Sequence, residues 1–203
     1  MPKIFLPVNE IFCSVQGEGY WAGEFAVFIR LSGCNMNCPF CDTDHAKFEE
    51  MTIEAIVKKA EALARPAPKV THVVVTGGEP HIHKHLENLL KALKGTGRFR
   101  IQVETNGTPP RTEHCLKYVD WLTCSPKIRP SLPVAQRANE YKVLVGKNGP
   151  IIPKRVVETL RADHLYVQPV YGEPGAARKC MEWVKEHEGW KLSGQLHKMY
   201  AMR

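Results

Sequence analysis

Six short apolar segments recur along the chain, and each has the length and the β-branched or aromatic content of a strand. The first segment, Phe25–Leu31, is apolar at every position except Arg30, which is typical of a buried strand. The other five predicted strands are Val70–Val75, Phe99–Val103, Val119–Thr123, Glu140–Val145 and His164–Val167. The sequence therefore predicts a sheet of about six strands.

Apolar residues spaced three or four positions apart predict helices between these strands. Thr52 is a good N-cap for the first helix, which runs to Ala64, and Leu86–Leu93 forms the next. Two later helices are predicted at Pro153–Arg161 and Pro174–Glu188. The expected buried stripe of the last helix is Ala177, Cys180, Met181 and Val184. Strands that alternate with helices predict a parallel α/β fold.

Polar residues follow the predicted strands at four places, where each strand ends. These clusters are Thr76–Pro80, Glu104–Gly107, Ser125–Lys127 and the residues from Gln168. Because ligands bind at the carboxyl ends of strands in parallel α/β folds, we expect the four clusters to contribute to a common site. Residues 9–20, which include Gly17 and Gly19, are expected to be irregular, with backbone able to pass close to a ligand.

Three cysteines, Cys34, Cys38 and Cys41, lie within eight residues after the first strand. Thiolates are good ligands for zinc and for iron–sulfur clusters. A structural zinc site takes four ligands, whereas a four-iron cluster held by three cysteines keeps one iron open for a small molecule. A zinc site completed by His45 or Cys13 is the alternative that spacing leaves open.

The number of cysteines, the lack of long apolar runs and the net charge limit the class of protein. Seven cysteines, an odd number, favour a reducing compartment, and the four outside the loop (Cys13, Cys115, Cys124 and Cys180) are expected to be buried small hydrophobes. The sequence has no apolar run long enough for a membrane span and no signal-peptide pattern, so a cytoplasmic protein is expected. The net charge of +7 suits either nucleic acid or a small anionic substrate, but the basic residues are scattered.

The length of 203 residues predicts one domain spanning residues 1–203. A complete eight-unit barrel usually needs about 250 residues, so the predicted fold is an incomplete parallel α/β barrel.

Arg30, inside an apolar strand, requires an anionic partner. That partner is either a structural carboxylate such as Glu24 or Asp44, or a substrate carboxylate, which a guanidinium grips with two parallel bonds.

The motif Cys34-x3-Cys38-x2-Cys41, with Phe40 before the last cysteine, resembles the signature of radical S-adenosylmethionine enzymes. Together with Gln16-Gly-Glu-Gly19 and Cys41-Asp-Thr43, it resembles the 7-carboxy-7-deazaguanine synthase family of the deazapurine (queuosine) pathway. The resemblance continues through the four strand-end clusters to Leu196–Tyr200, which is similar to the closing segment that packs near the site in that family.

The resemblance implies a radical S-adenosylmethionine fold with a [4Fe-4S] cluster, S-adenosylmethionine and Mg²⁺ as cofactors. The implied reaction converts 6-carboxy-5,6,7,8-tetrahydropterin to 7-carboxy-7-deazaguanine with loss of ammonia, a carbon–nitrogen lyase reaction. A homodimer and an electron donor such as flavodoxin are implied as well, without membrane or nucleic-acid partners.

The resemblance also assigns roles to individual residues, although no side chain is assigned as catalytic. The cluster ligands would be Cys34, Cys38 and Cys41, and Thr43 would bind Mg²⁺. The substrate would contact Val15, Gln16, Gly17, Arg30 and Thr76. S-adenosylmethionine would contact Phe40, Gly78, Glu104, Asn106, Ser125, Pro126, Lys127, Gln168, Pro169, Val170 and Tyr171.

Two other functions compete with this interpretation. A glycyl-radical activase shares the three-cysteine spacing but acts on a partner protein, so a small pterin would not affect its chemistry. A non-catalytic metal module that binds RNA through its positive charge is the second alternative, and zinc without iron would favour it.

Overall fold

The computed structural model describes residues 3–41, 43–108, 113–127 and 138–202. The chain divides into two compact units. Unit 1 comprises Met1–Ser14, Phe25–Thr105 and Pro109–Trp121, and unit 2 comprises Val15–Glu24, Asn106–Thr108 and Leu122–Arg203. The prediction of one domain stays a prediction. None of the helices in the described residues has the length and hydropathy needed to cross a membrane.

Unit 1 contains a mixed sheet with the strand order β5-β4-β2-β1-β3. Strand β2 pairs with β4 in parallel, β4 pairs with β5 in parallel, and the edge strand β3 pairs with β1 antiparallel. Helices α1 and α2 precede β4 and β5, respectively. The bounds are β1 Phe5–Val15, β2 Phe25–Leu31, β3 Glu49–Thr52, α1 Ile53–Leu63, β4 Thr71–Gly77, α2 Leu86–Gly95 and β5 Phe99–Thr105.

Side chains alternate between the two faces of the unit 1 sheet along each strand. One face carries the fully buried row of Ile29, Val75 and Val103, which are register partners on β2, β4 and β5. Helices α1 and α2 contact β2 and β5, so this apolar face forms the core with them. The residues between these positions, including Arg30 and Thr76, belong to the opposite face.

Unit 2 contains a second set of strands in the order β10-β9-β7-β6, all parallel, with β8 antiparallel to β7. Tyr141 and Val143 on β7, Val167 on β9 and Trp183 on α4 belong to its core. The bounds are β6 Trp121–Cys124, β7 Glu140–Gly146, β8 Gly149–Pro150, α3 Lys154–Val157, β9 His164–Pro169, α4 Ala176–Glu186, β10 Trp190–Leu192 and α5 Leu196–Met199.

All six predicted strands occur, as β2, β4, β5, β6, β7 and β9, but the expectation for residues 9–20 is wrong in part. Strand β1 continues to Val15, and the irregular segment begins only at Gln16. Sequence periodicity missed β1 because Pro7 interrupts it and because Ile11 and Phe12 are both buried, which breaks the alternation.

Two helix predictions also need correction. Helix α3 is four residues long instead of spanning residues 153–161. In α4 the buried residues are Ala176, Cys180 and Trp183, whereas Met181 is 52% exposed. The buried face is rotated because Trp183 packs edge-on against Trp190, with ring centroids 5.7 Å apart. Burying the large indole removes more apolar surface from water than burying Met181 would.

The cysteines outside the loop follow the prediction with one exception. Cys115, Cys124 and Cys180 are buried, whereas Cys13 is exposed on β1, contrary to expectation. Burial raises the pKa of the Cys180 thiol to about 12, so this cysteine stays protonated and unreactive at neutral pH.

Candidate active site

The cysteine loop begins where β2 ends, at Leu31 in unit 1. Cys34 and Cys38 are half-buried and Cys41 is exposed, and none of the three forms a disulfide. A hydrogen bond from Cys41 N to Cys38 O, 3.0 Å long, closes the turn between the last two cysteines. Burial, assisted by the charges of Glu79 and Cys41, raises the pKa of the Cys34 thiol.

Three thiols on one short loop fit the ligand set of a four-iron cluster. Among the residues that the structure describes, no three His, Cys, Asp or Glu side chains are arranged around one metal position. In a four-iron cluster each thiolate binds a different iron, so three accessible thiols on one short loop are sufficient. His45 lies beside this loop, with Nε2 3.9 Å from Cys41 Sγ.

The end of β4 packs directly against the start of the cysteine loop. Gly78 N donates to Leu31 O at 3.2 Å, and Glu79 N donates to Gly33 O at 3.0 Å. A Cβ atom on Gly78 would lie 1.9 Å from Gly33 O, and one on Gly77 would lie 2.0 Å from Leu31 O. Only glycine permits this approach, so the Gly77-Gly78 pair holds the loop in place.

Substitution of Gly78 by alanine is expected to lower the free energy of unfolding by about 1–3 kcal/mol and to reduce the iron bound per chain. The added methyl group collides with a backbone oxygen, so the cysteine loop must shift. The measurements are the thermal unfolding midpoint and iron content of anaerobically prepared protein. Gly95→Ala is the control because an added methyl there meets nothing within 4 Å. Wild-type stability and iron content in Gly78→Ala would contradict this packing role.

Glu79 is a fully buried carboxylate that follows the two glycines. Its Oε1 accepts hydrogen bonds from His81 N at 3.0 Å and from Thr105 Oγ1 at 2.9 Å. The bond from Thr105 joins the segment after β4 to the end of β5. The sequence placed Glu79 within a recognised motif but gave it no role.

A polar row crosses β2, β4 and β5 on the face opposite the apolar core. Arg30 and Thr76 are register partners, and Thr76 Oγ1 donates to Glu104 Oε2 at 3.2 Å. Glu104 Oε1 also accepts from Gln102 Nε2 at 3.3 Å. Three of the residues predicted for substrate or S-adenosylmethionine are therefore neighbours in unit 1.

Arg30 has a carboxylate partner, but it is neither Glu24 nor Asp44. Its Nε lies 3.0 Å from Glu10 Oε1, and its Nη1 donates to Thr43 Oγ1 at 3.2 Å. The guanidinium also lies over the Phe12 ring, 5.9 Å from the centroid. The sequence missed Glu10 because residues 9–20 were expected to be irregular, whereas β1 places Glu10 beside β2.

The segment that follows Thr43 is held by the side chains of Asn9 and Ser32. Asn9 Nδ2 donates to Asp44 O and to Lys47 O, each at 2.7 Å. Ser32 Oγ donates to His45 O at 2.7 Å, which joins the same segment to the residue after β2. Asp42, which precedes Thr43 in the motif, lies outside the described residues.

The predicted substrate residues Gln16 and Gly17 belong to unit 2. They begin a loop that follows Val15, the last residue of β1. Gln16 N donates to Glu24 O at 2.7 Å, and Gly23 N donates to Gln16 O at 2.9 Å. Leu196 N donates to Gly17 O at 3.0 Å. A Cβ atom on Gly17 would lie 2.5 Å from Nδ1 of His197, so the C-terminal segment packs on this glycine.

The remaining predicted S-adenosylmethionine residues of unit 2 occupy separate strand ends. Asn106 Oδ1 accepts from Thr108 Oγ1 at 2.6 Å, and Lys127 Nζ donates to Ser125 Oγ at 2.5 Å. Gln168 is buried, and its Oε1 accepts from Ser193 Oγ at 2.8 Å. Pro126 is buried, Pro169 and Val170 are half-buried, and Tyr171 is 56% exposed. In unit 1, Phe40 is half-buried in the cysteine loop.

Comparison with known proteins bears on this arrangement. The model of the Radical SAM superfamily matches residues 28–164. The 7-carboxy-7-deazaguanine synthase of Bacteroides thetaiotaomicron is 41% identical, with 97% of this chain and 98% of that protein covered. The chain belongs to the 7-carboxy-7-deazaguanine synthase family. The Escherichia coli K12 member is 36% identical, with 95% of this chain and 96% of that protein covered.

The fold of this chain is also similar to that of a solved structure from the family. The crystal structure of QueE from Escherichia coli matches with a TM-score of 0.74 and 32% identity, covering 95% of each chain. The prediction of an incomplete α/β barrel of the radical SAM type is confirmed. Membership of the 7-carboxy-7-deazaguanine synthase family removes the RNA-binding metal module as an alternative.

Several polar residues of this family member were missed by sequence reasoning. Besides Glu10 and Glu79, they are Glu140, Lys142, Ser193 and Gln195, all of unit 2. Glu140 and Lys142 are buried although they lie within a predicted apolar strand. Charged residues inside such a strand are the signal that could have identified them, since a buried charge requires a partner.

Proposed function

We propose that the chain is a 7-carboxy-7-deazaguanine synthase, which converts 6-carboxy-5,6,7,8-tetrahydropterin to 7-carboxy-7-deazaguanine and ammonia. The observation that carries the proposal is 41% identity to a relative of that name over nearly the full length of both chains. The product differs from the substrate by one ammonia, so the conversion consumes no net electrons. The glycyl-radical activase lacks a specific supporting observation.

Cys34, Cys38 and Cys41 would hold a [4Fe-4S] cluster on the loop that Gly78 supports. When bound, the cluster and S-adenosylmethionine would supply the radical chemistry of the reaction. The protein contributes binding and orientation. On the S-adenosylmethionine side we assign Phe40, Gly78, Glu104, Asn106, Ser125, Pro126, Lys127, Gln168, Pro169, Val170 and Tyr171.

Arg30 would bind the pterin carboxylate. Its Nη1 already donates to the neutral Thr43 hydroxyl, and its Nε is paired with Glu10. These two bonds fix the orientation of the guanidinium plane. A fixed guanidinium loses little freedom when it forms bonds to a carboxylate. Thr76 is the register partner of Arg30 and would contact the same substrate, as would Val15, Gln16 and Gly17.

Thr43 would contribute one oxygen to Mg²⁺, which prefers oxygen ligands and retains several waters. The Arg30 guanidinium is hydrogen-bonded to the same hydroxyl, so a second cation there requires an anion nearby. The substrate carboxylate and Glu10 are suitable anions. We also propose a homodimer, a one-electron donor such as flavodoxin and a cytoplasmic location, all from the family resemblance.

The test is turnover of the carboxylated pterin by anaerobically reconstituted protein with S-adenosylmethionine and a chemical reductant. We expect 7-carboxy-7-deazaguanine and ammonia in equal amounts, identified by mass spectrometry and an ammonia assay. A tetrahydropterin without the carboxylate is the matched substrate control and should give no product. Cleavage of S-adenosylmethionine without product from the carboxylated pterin would show that the substrate is wrong although the superfamily is right.

A further inference from the structure

The loop of residues 16–24 is fastened to the rest of unit 2 by buried charges. The side chain of Lys142 on β7, 4% exposed, forms an ion pair with Glu18 Oε2. The other carboxylate oxygen, Oε1, accepts a hydrogen bond from Gln195 Nε2 at 2.7 Å. Both oxygens of Glu18 are therefore occupied, one by β7 and one by the residue before α5.

A second set of bonds fastens the same loop two residues further on. Glu140, which is 1% exposed, accepts from Tyr20 N and from Thr123 Oγ1, each at 2.8 Å. Gly19 N donates to Ser193 Oγ at 3.0 Å. The loop is thus held on both sides of Gly19 by hydrogen bonds with polar side chains.

Such a buried ion pair contributes little net stability, because removing two charges from water offsets much of their attraction. Apolar residues of similar volume would stabilise the fold as well. The loop, however, contains Gly17, Gly19 and Gly23, and glycine has more backbone freedom to lose than any other residue. An ion pair with fixed geometry supplies the specific anchor that a glycine-rich loop lacks.

The anchor connects directly to a residue assigned to the substrate. Glu18 N donates to Gln16 Oε1 at 3.2 Å, and this bond fixes the position of the Gln16 side-chain carbonyl. Gln16 itself is 3% exposed. Displacement of Glu18 would therefore change the orientation of the Gln16 side chain and of Gly17 between them.

Glu18 is not suited to accept a proton from the substrate. Burial alone would raise the pKa of its carboxyl, but the charge of Lys142 and the hydrogen bonds from Lys142 and Gln195 outweigh burial. They lower this pKa to about 2, and His197 adds a smaller effect in the same direction. Glu18 is therefore a carboxylate throughout the neutral range, which matches a structural bond to Lys142.

We propose that Glu18 and Lys142 form a positioning pair that orients Gln16 and Gly17 for the carboxylated pterin. The inference rests on the proposed function, and it adds two residues that act on the substrate through others. Neither residue reacts. Their role is to keep the substrate-side loop in one conformation before the substrate binds.

The test compares Lys142→Met, Glu18→Gln and the double variant with both changes. Each single variant is expected to raise the KM for the pterin at least about tenfold, since a small misplacement of binding groups is costly. Affinity for S-adenosylmethionine and iron content should stay at wild-type values. Amide hydrogen exchange should accelerate in residues 16–24, while exchange in α1 and α2 stays unchanged. Lys179→Met is the control, since it breaks an exposed ion pair with Glu182 on α4.

The double variant separates positioning from stability. Removing both charges leaves neither member of the pair buried without its partner, so the thermal unfolding midpoint should return toward that of the wild type. The KM for the pterin should nevertheless stay raised, because the anchor is still missing. Recovery of KM together with stability would make the pair merely structural, and wild-type KM in the single variants would also overturn the proposal. Wild-type protein without any turnover of the pterin would instead refute the proposed function.

Discussion

Replacement of Cys38 by alanine is expected to abolish reductive cleavage of S-adenosylmethionine, with activity falling below detection. With Cys38 absent, only two of the three loop thiols remain, and a four-iron cluster loses a required ligand. The measurements are iron and sulfide content, the visible absorbance of the cluster and formation of 5′-deoxyadenosine under anaerobic conditions. All three should fall together.

Cys13→Ala is the matched control for this experiment. Cys13 is an exposed free thiol on β1, outside the loop, so its removal should leave the cluster and the activity intact. A Cys38→Ala protein that cleaves S-adenosylmethionine at the wild-type rate would disprove the assignment of the three-cysteine loop.

Arg30→Lys is expected to lower turnover of the carboxylated pterin on the order of 10²-fold while the cluster remains loaded. Lysine keeps the charge but cannot bond Glu10 and Thr43 through two fixed nitrogens, nor present a planar pair of donors to a carboxylate. S-adenosylmethionine should still bind, and its cleavage without substrate should persist. The measurement is pterin affinity and turnover beside iron content in the same preparation.

Arg65→Lys is a suitable control because Arg65 also belongs to unit 1 and also lies over a phenylalanine ring, that of Phe25, at 5.3 Å. It should behave as the wild type, which separates loss of ring stacking from loss of carboxylate binding. Loss of the cluster in Arg30→Lys would make Arg30 a structural residue. Wild-type turnover would mean that the carboxylate is held elsewhere.

The sequence predicted those parts of the protein that depend on neighbouring residues. Strand β2 could be read from its own apolar run, and α1 from its periodicity and from Thr52, whose side chain accepts a hydrogen bond from Ala55 N. The cysteine loop and the two glycines at the end of β4 were recognised because their residues are adjacent in the chain.

Contacts between distant segments were not predictable in this way. Glu10 was missed as the partner of Arg30 because the two meet only through adjacent strands. Lys142 is one of two charged residues in a predicted apolar strand, and its partner Glu18 lies 124 residues earlier in the chain. In α4 the size of Trp183, rather than the spacing of small apolar residues, decided which face is buried.

The bonds of Glu18 to Gln195 and of Gly19 to Ser193 can form only after the ribosome has made residues 193 and 195. Glu18 meets Gln195 across 177 residues, and Gly19 meets Ser193 across 174. A nascent chain that stops before Ser193 contains the cysteine loop and all of β1 to β10, yet neither of these anchors for residues 16–24. Contacts of such long sequence separation form late because closing a long loop costs entropy. A ribosome therefore makes the cluster ligands early, whereas residues 16–24 gain these two supports only after Gln195 has been synthesised.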